Sequence, residues 1–216
     1  MSRIIILGGT GYAGGHLVAE AARRGHNVLA VSRSTPASLP DGASHRAGDL
    51  REEALLQEVL TGADVVIATS SPRGDLAAPG VLRSAYVMLA RLAAEQGVRL
   101  GVIGGAGSLQ VAPGGPLLVD IPDFPAEFAD EARELGAVLE DLRASGEGLD
   151  WFYVSPAAGF GNYAPGEATG SYRIGGDVLL SDAEGESRLS GADLALAVID
   201  EIETPAHHRM RFSLAY

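Results

Sequence analysis

The chain has 216 residues, 46% of them hydrophobic and 20% charged, a balance typical of a globular domain with a buried core. Its formal net charge of −12 argues against nucleic acid and anionic membranes as partners, because neither would meet a basic surface. The absence of cysteine excludes disulfides and thiolate chemistry, and all 16 basic residues are arginine, which excludes any mechanism that needs a lysine ammonium.

The chain carries no recognisable targeting or membrane segment. Its longest apolar runs are broken by glycine or arginine before they could span a bilayer. The N-terminus passes directly into an apolar run and a glycine turn, without the cleavage region of a signal peptide. We therefore expect a cytoplasmic protein without membrane contacts.

Strands and helices alternate along the first two thirds of the chain. Short apolar runs predict strands at 3–7, 28–31, 63–68, 98–103 and 149–154, with a further short strand within 41–49. Apolar residues at helical spacing predict helices at 11–24, 52–60, 81–95 and 125–145. This alternation predicts an α/β fold with a doubly wound, mostly parallel sheet (a Rossmann fold), formed as a single domain over 1–216.

The last third has a different composition. Residues 156–182 are rich in Gly, Pro and Tyr, with strand-like pieces at 171–174 and 178–180. Ser190 and Asp193 then form an S-x-x-D pattern, similar to a capping box, before a helix that runs through Ile202. A final strand is predicted at 209–214. We expect 156–189 to be a small insertion on the substrate side of the sheet, where ligands bind in doubly wound folds.

A glycine cluster follows the first predicted strand and opens the first helix. Gly8 permits a tight turn, Gly11 allows a close approach of the backbone to a diphosphate, and Gly14 lets helix and strand pack closely. The free N–H groups of the helix N-terminus favour an anion, and Thr10 adds a hydroxyl. The alternative is a turn that merely reverses the chain, but the strand and helix context favours a dinucleotide site.

The end of the second strand distinguishes between the two nicotinamide cofactors. NAD-preferring sites place an acid there, whereas this chain has Ser32 and Arg33, which suit a 2′-phosphate. This favours NADPH, with NADH as the alternative.

Asp49 and Leu50 follow the expected third strand. They can contact the adenine, or Asp49 can cap the next helix, and both roles are compatible.

Several segments together resemble a known family. GGTGYAGGH, VSRS, GDL, VIGGAGSL, VDIPDFP, LDWFYVSPAA and TGSYRIGGD resemble the atypical, NmrA-like short-chain dehydrogenase/reductase superfamily, in particular its small flavin-reductase branch related to biliverdin reductase B. The resemblance covers nearly the whole chain. It implies cofactor contacts at Thr10, Gly11, Tyr12, Ala13, Ser32, Arg33, Asp49, Leu50, Ala68, Thr69, Gly104, Ser155, Pro156 and Ala157.

The chain departs from the superfamily in two places. Ordinary members use a Tyr-x-x-x-Lys pair for proton transfer, but Tyr86 is followed by Ala90 where the lysine would stand. Biliverdin reductase B has a histidine where this chain has Ala157. The resemblance therefore implies hydride transfer without a Tyr–Lys pair.

We expect a reductase that transfers hydride from NADPH to a small planar acceptor, a flavin or quinone, with flavin as a substrate rather than a prosthetic group. Ser108 is a candidate to orient the acceptor, or else the N-cap of a helix. Among the aromatic residues, most of which are expected in the core, Phe160 and Tyr163 are candidate pocket residues, as is Phe124 within the apolar segment 113–128.

Two other function classes fit the same features in part. One is a non-catalytic redox sensor that binds NADP(H) and regulates a partner. The other is a sugar-nucleotide enzyme, which the missing lysine disfavours.

We expect no metal site, because the adjacent His207 and His208 would point to opposite faces of a strand. The charges of 127–140 are expected to form a solvated helix face.

Overall fold

The computed structural model describes all residues, Met1–Tyr216, and places eight strands in one sheet in the order β3-β2-β1-β4-β5-β6-β8-β7. The strands are β1 (Arg3–Leu7), β2 (Asn27–Ser32), β3 (Ala43–Ala47), β4 (Val65–Ala68), β5 (Arg99–Ile103), β6 (Trp151–Ser155), β7 (Arg173–Gly175) and β8 (Met210–Ala215). All neighbours pair in parallel except β7, which runs antiparallel to β8 at the edge. The predicted doubly wound α/β domain is confirmed.

Five helices cover the sheet: α1 (Tyr12–Arg23), α2 (Glu53–Leu60), α3 (Val81–Gln96), α4 (Ala129–Arg143) and α5 (Gly191–Glu203). Their positions agree with the predicted ones to within a few residues. The exception is α4, which begins four residues later than expected, because Ala126–Phe128 form a separate 3₁₀ turn. No helix combines the length and apolarity needed to cross a bilayer.

The sheet buries both of its faces, which explains the continuous apolar runs of its central strands. In β1, Ile5 and Leu7 pack beneath α2, α3 and α4, whereas Ile4 and Ile6 pack beneath α1 and α5. Because β2 and β4 both pair with β1, the chain order reverses on either side of β1. The carboxyl ends of the strands therefore open a crevice there, the position at which doubly wound folds bind ligands.

The segment 156–189 divides into parts with different roles. Its beginning lies at the carboxyl edge of the sheet, whereas Arg173–Gly175 form the edge strand β7. The strand predicted at 178–180 is wrong. The backbone there makes only an isolated parallel bridge to Gln110, whose N–H donates to the Asp177 carbonyl at 2.8 Å and whose carbonyl accepts from the N–H of Leu179 at 2.8 Å.

The N-terminus of α5 is only half of a capping box. The Ser190 hydroxyl accepts from the N–H of Asp193 at 3.0 Å, as predicted. The Asp193 carboxylate does not return to the N–H of Ser190, which instead donates to the Tyr216 hydroxyl. Asp193 turns toward the preceding loop and accepts from the N–H groups of Thr169 (2.7 Å) and Gly170 (2.9 Å). A buried carboxylate thereby ties this loop to α5.

Candidate functional site

One cleft of about 750 Å³ crosses the carboxyl edge of the sheet at the reversal of strand order. This volume lies within the usual range for small-molecule sites. Its walls come from the β1–α1 turn, the ends of β2 and β5, and the loops after β3, β4, β5 and β6. The cleft is continuous from the end of β2 to the start of α4.

The β1–α1 turn is packed so closely that side chains are excluded at several positions, among them Gly8 and Gly14. Gly8 has φ +83°, in the left-handed region. A Cβ on Gly14 would lie 2.1 Å from the Gly8 carbonyl oxygen, so the helix can approach the turn only without a side chain there. Gly14 is therefore buried beneath the turn and does not line the cleft.

The first turn of α1 presents free backbone donors to the cleft. Gly11 is the N-cap and supplies no side-chain cap, and the N–H groups of Tyr12 and Ala13 bond to no other protein group. Thr10, Gly11, Tyr12 and Ala13 all line the cleft. Unpaired N–H groups at the positive end of a helix dipole fit a diphosphate, so these residues suit the cradle that the sequence predicts.

Two of the residues near this turn use their hydroxyl groups within the protein. The Thr69 hydroxyl donates to the Leu7 carbonyl at 2.9 Å, which fixes the end of β4 against the glycine turn. The Tyr12 hydroxyl donates to the Pro165 carbonyl at 2.9 Å and accepts from the N–H of Gly191 at 3.0 Å. Tyr12 thus links the start of α1 to α5 and to the loop after β6.

At the end of β2, Arg33 lines the cleft and its guanidinium pairs with Asp75 from the loop after β4 at 2.5 Å. Both side chains are more than half exposed, so this ion pair is weak and an incoming phosphate can replace the carboxylate. The Ser32 hydroxyl donates to the Ser34 carbonyl at 2.9 Å and lies 2.9 Å from Nε2 of His45.

Asp49 and Leu50 lie beside Arg33 in the cleft wall. The Asp49 carboxylate accepts from the Arg51 N–H at 2.9 Å and from its guanidinium at 2.9 and 2.6 Å. These hydrogen bonds hold the pKa of Asp49 below its ordinary value. Asp49 shapes the turn before α2, whose N-cap is Glu52. Leu50 is buried and offers an apolar surface.

The loops after β5 and β6 form the middle of the cleft. Gly104 lines it, and a Cβ there would lie 1.9 Å from the Tyr153 hydroxyl, so a side chain is excluded. Pro156 and Ala157 form the opposite wall and are buried. Ala68 and Ser155, both expected to contact a cofactor, are fully buried in their strands and do not line the cleft.

Ser108 also lies outside the cleft lining. Its hydroxyl and its carbonyl both accept from the Arg211 guanidinium at 2.9 Å. It ends a 3₁₀ turn and leads into extended backbone, so it is not the N-cap of a helix either. These contacts attach this loop to β8, and the position of Ser108 outside the cleft lining does not support the orienting role expected from the sequence.

Aromatic side chains line the cleft from the first turn of α1 to its far end. Phe124, Phe160 and Tyr163 all line it, as expected. Tyr163 stacks on Phe128 with ring centroids 5.9 Å apart and planes 21° apart, and Phe160 packs edge-on against Tyr12 at 5.4 Å. Since planar rings stack favourably on such side chains, this end suits a planar ligand.

An ion pair at this end is absent from the sequence-based predictions. Arg73, in the loop after β4, donates from Nε and Nη2 to the Glu131 carboxylate at 3.0 and 3.3 Å. Both residues line the cleft, so the prediction that the charges of 127–140 form a solvated helix face is wrong at Glu131. The residues are 58 positions apart, and no local pattern marks either of them.

Three tyrosines near the cleft, Tyr12, Tyr86 and Tyr153, are not positioned as acids. The Tyr86 hydroxyl is buried beneath the loop after β4 and donates to the Ser70 carbonyl at 2.7 Å. Burial raises the pKa of Tyr86 and of Tyr153 well above their ordinary values, and it raises the pKa of Tyr12 as well. Each of these hydroxyls donates to a backbone carbonyl, so none is free to protonate a ligand.

Comparison with known proteins agrees with this geometry. Residues 8–205 match the sequence profile of a family described as NAD(P)H-binding. The chain is 35% identical over 217 residues to YwnB of Bacillus subtilis, covering 98% of this chain and 97% of YwnB.

Two solved structures extend over the whole chain. One, a candidate NADH-flavin reductase from Streptococcus pneumoniae, has a TM-score of 0.87 and 34% identity and covers 100% of this chain and 99% of its own. The other, a candidate epimerase from Bacteroides thetaiotaomicron, has a TM-score of 0.89 and 33% identity, with coverage of 100% and 97%.

Proposed function

The chain belongs to the NAD(P)H-binding family, and from that premise we propose that it is an NADPH-dependent reductase whose acceptor is a flavin, a quinone or a similar planar compound. The observation that carries the proposal is the continuity of the cleft. An anion-binding helix N-terminus and a β2 arginine stand at one end, and an aromatic wall stands at the other.

The proposed reaction needs only the reduced cofactor, the acceptor and a proton from water. The dihydronicotinamide supplies a hydride, which carries two electrons, and the acceptor takes that hydride together with one proton from water. NADP⁺ and the two-electron-reduced acceptor are the products. Because the acceptor is already electrophilic, the protein has to align two rings and exclude bulk water rather than provide an acid.

The protein groups available match that limited task. Thr10, Gly11 and the N–H groups of α1 would hold the diphosphate, and Arg33 would receive the 2′-phosphate. Gly104, Pro156 and Ala157 would flank the nicotinamide. The aromatic wall would position the acceptor ring against it.

A direct test combines cofactor binding with acceptor reduction. Purified protein is mixed with NADPH and, in separate reactions, riboflavin, FMN, menadione or dichlorophenolindophenol, while the absorbance of the reduced nicotinamide is followed. We expect acceleration over buffer with at least one acceptor. NADPH binding without acceleration by any of them would overturn the reductase and favour the sensor that the sequence leaves open.

An epimerase, as one structural neighbour is described, is a weaker candidate for this chain. The sugar-nucleotide enzymes of the superfamily depend on tyrosine–lysine chemistry, and this chain has no lysine. The hydroxyl of its Tyr86 donates to a backbone carbonyl, and burial raises the pKa of Tyr86.

A further inference from the structure

The charges along the cleft are few and unevenly distributed. Five charged side chains line it: Arg33, Asp49, Arg73, Asp123 and Glu131. Arg33 and Asp49 lie at the adenosine end, next to the end of β2. The other three lie at the acceptor end, in the loops after β4 and β5 and in the first turn of α4.

The single arginine at the acceptor end is already neutralised. Arg73 is held by two hydrogen bonds to Glu131, and the Glu131 side chain is the more buried partner, 23% exposed against 57% for Arg73. Asp123 has no ion-pair partner. One positive and two negative charges leave this end with a net charge of −1.

Two sets of backbone donors near the acceptor end are already used or screened. The first turn of α4 carries Asp130 and Glu131, which already complement the positive end of its dipole. The N–H groups of Ala158 and Gly159 donate to the hydroxyl and the carbonyl of Ser187. A phosphate would therefore find these donors occupied or screened by carboxylates.

Arg33 stands too far along the sheet to serve an acceptor beside the nicotinamide. It follows β2, whereas the nicotinamide wall follows β5, and β1 and β4 lie between them. Three strand spacings correspond to about 14 Å. Its guanidinium would in any case be engaged by the 2′-phosphate of the cofactor under the proposed function.

From these charges we infer that the cleft selects an uncharged planar acceptor and discriminates against phosphorylated flavins. This inference rests on the proposed reductase function and specifies its substrate class. Glu131 is the specificity-determining residue, because it neutralises the one arginine that could otherwise receive a phosphate.

Riboflavin and FMN form the matched pair that isolates the charge, because they share the same ring and differ in a phosphate remote from it. Binding of each flavin to the NADP⁺ complex is measured by flavin fluorescence, and kcat/KM is measured for each with NADPH. At low ionic strength we expect riboflavin to bind about tenfold more tightly than FMN and to have the higher kcat/KM by a similar factor.

The Glu131→Gln variant tests the assignment of the residue. It frees Arg73, so we expect the preference for riboflavin to fall by at least about threefold, through tighter FMN binding. Glu127→Gln is the control. It removes the same charge from an exposed residue outside the cleft and should leave the preference unchanged.

The outcomes separate this inference from the proposed function. Riboflavin that binds more tightly than FMN but is not reduced would leave the inference standing and overturn the reductase. FMN that binds as tightly as riboflavin, or failure of both flavins to bind, would overturn the inference whatever the turnover. An unchanged preference in Glu131→Gln would remove that residue from the explanation.

Discussion

The two ends of the cleft are built in different ways. The diphosphate cradle at the cofactor end is a local structure: one glycine turn, one helix N-terminus and backbone N–H groups, all within Gly8–Gly14. The acceptor end is assembled from side chains of the loops after β4, β5 and β6, joined by the Arg73–Glu131 pair and by aromatic stacking. The first tolerates almost no substitution in its backbone, whereas the second can change its ligand through single side chains.

The largest effect is expected from a methyl group in the glycine turn. Gly14→Ala places a Cβ 2.1 Å from the Gly8 carbonyl oxygen, and backbone atoms cannot rotate away as a side chain can. We expect the free energy of unfolding to fall by about 3 kcal/mol and NADPH binding to be lost. Denaturant unfolding and fluorescence titration with NADPH measure the two effects.

The neighbouring glycine provides the matched control for this prediction. A Cβ on Gly15 has no atom within 4 Å, and the residue lies in the same helix turn. Gly15→Ala should be neutral or more stable by up to about 1 kcal/mol, since alanine favours the helix. Equal effects of the two substitutions would show that helix propensity, not the close contact, determines the result.

The next effect concerns the loop that carries the aromatic wall. Asp193 accepts hydrogen bonds from the N–H groups of Thr169 and Gly170 and from the hydroxyls of Ser190 and Tyr216. Asp193→Asn replaces one acceptor oxygen by a donor, and we expect a loss of about 2 kcal/mol in the free energy of unfolding. KM for the acceptor should rise more than KM for NADPH, because the loop bearing Phe160 and Tyr163 loosens.

The same carboxylate predicts a pH dependence of stability. Burial raises the pKa of Asp193, but the hydrogen bonds that it accepts outweigh this and leave the pKa below its ordinary value. Its contribution is therefore complete above the unfolded pKa of about 4 and is lost as pH falls through the lower folded pKa. Thermal unfolding between about pH 5 and pH 2 should show a shallower decline for Asp193→Asn than for the natural chain.

A smaller effect is expected at the adenosine end. Arg33→Ala should weaken NADPH binding by about tenfold and leave NADH binding nearly unchanged, because only NADPH carries the 2′-phosphate. Asp75→Asn removes the ion-pair partner of Arg33 but keeps the arginine. This variant should therefore bind NADPH as tightly as the natural chain or slightly more tightly. Parallel titrations with both cofactors measure this, and an equal loss for NADH would contradict the assignment of Arg33.

The smallest effect is expected at Ser108, outside the cleft. Ser108→Ala removes one of the acceptors of Arg211, while the Ser108 carbonyl and Asp177 remain. We expect a loss of less than about 1 kcal/mol in stability and a kcat within about twofold of the natural chain. A large fall in kcat with unchanged stability would restore the orienting role that the sequence suggests.

The contrast between the two ends also explains what the sequence could predict. Gly8, Gly11 and Gly14 are close together in the chain, and their spacing by itself indicates the turn and the helix that follows. The sheet order is equally accessible, because alternating strands and helices allow few arrangements. Phe160 and Tyr163 could be assigned to the cleft from their place in a glycine-rich loop.

Contacts between distant segments could not be predicted in this way. Arg73 and Glu131 are 58 residues apart, and an acidic residue in an amphipathic helix ordinarily faces solvent. The contact between Ser108 and Arg211 could not be predicted, because Arg211 is 103 residues away on the last strand. Burial of Ser155 and Ala68 depends on how tightly β4 and β6 are covered, which a strand pattern does not reveal.

The central claim is that one cleft holds NADPH and a planar acceptor in contact. Its most direct test is a single turnover without oxygen, in which protein, NADPH and riboflavin are mixed in equal amounts and both chromophores are followed. We predict that nicotinamide and flavin absorbance decay together, that deuterium at the transferred position of the nicotinamide slows both, and that Gly14→Ala abolishes the reaction. NADPH binding with neither decay faster than in buffer would contradict the account.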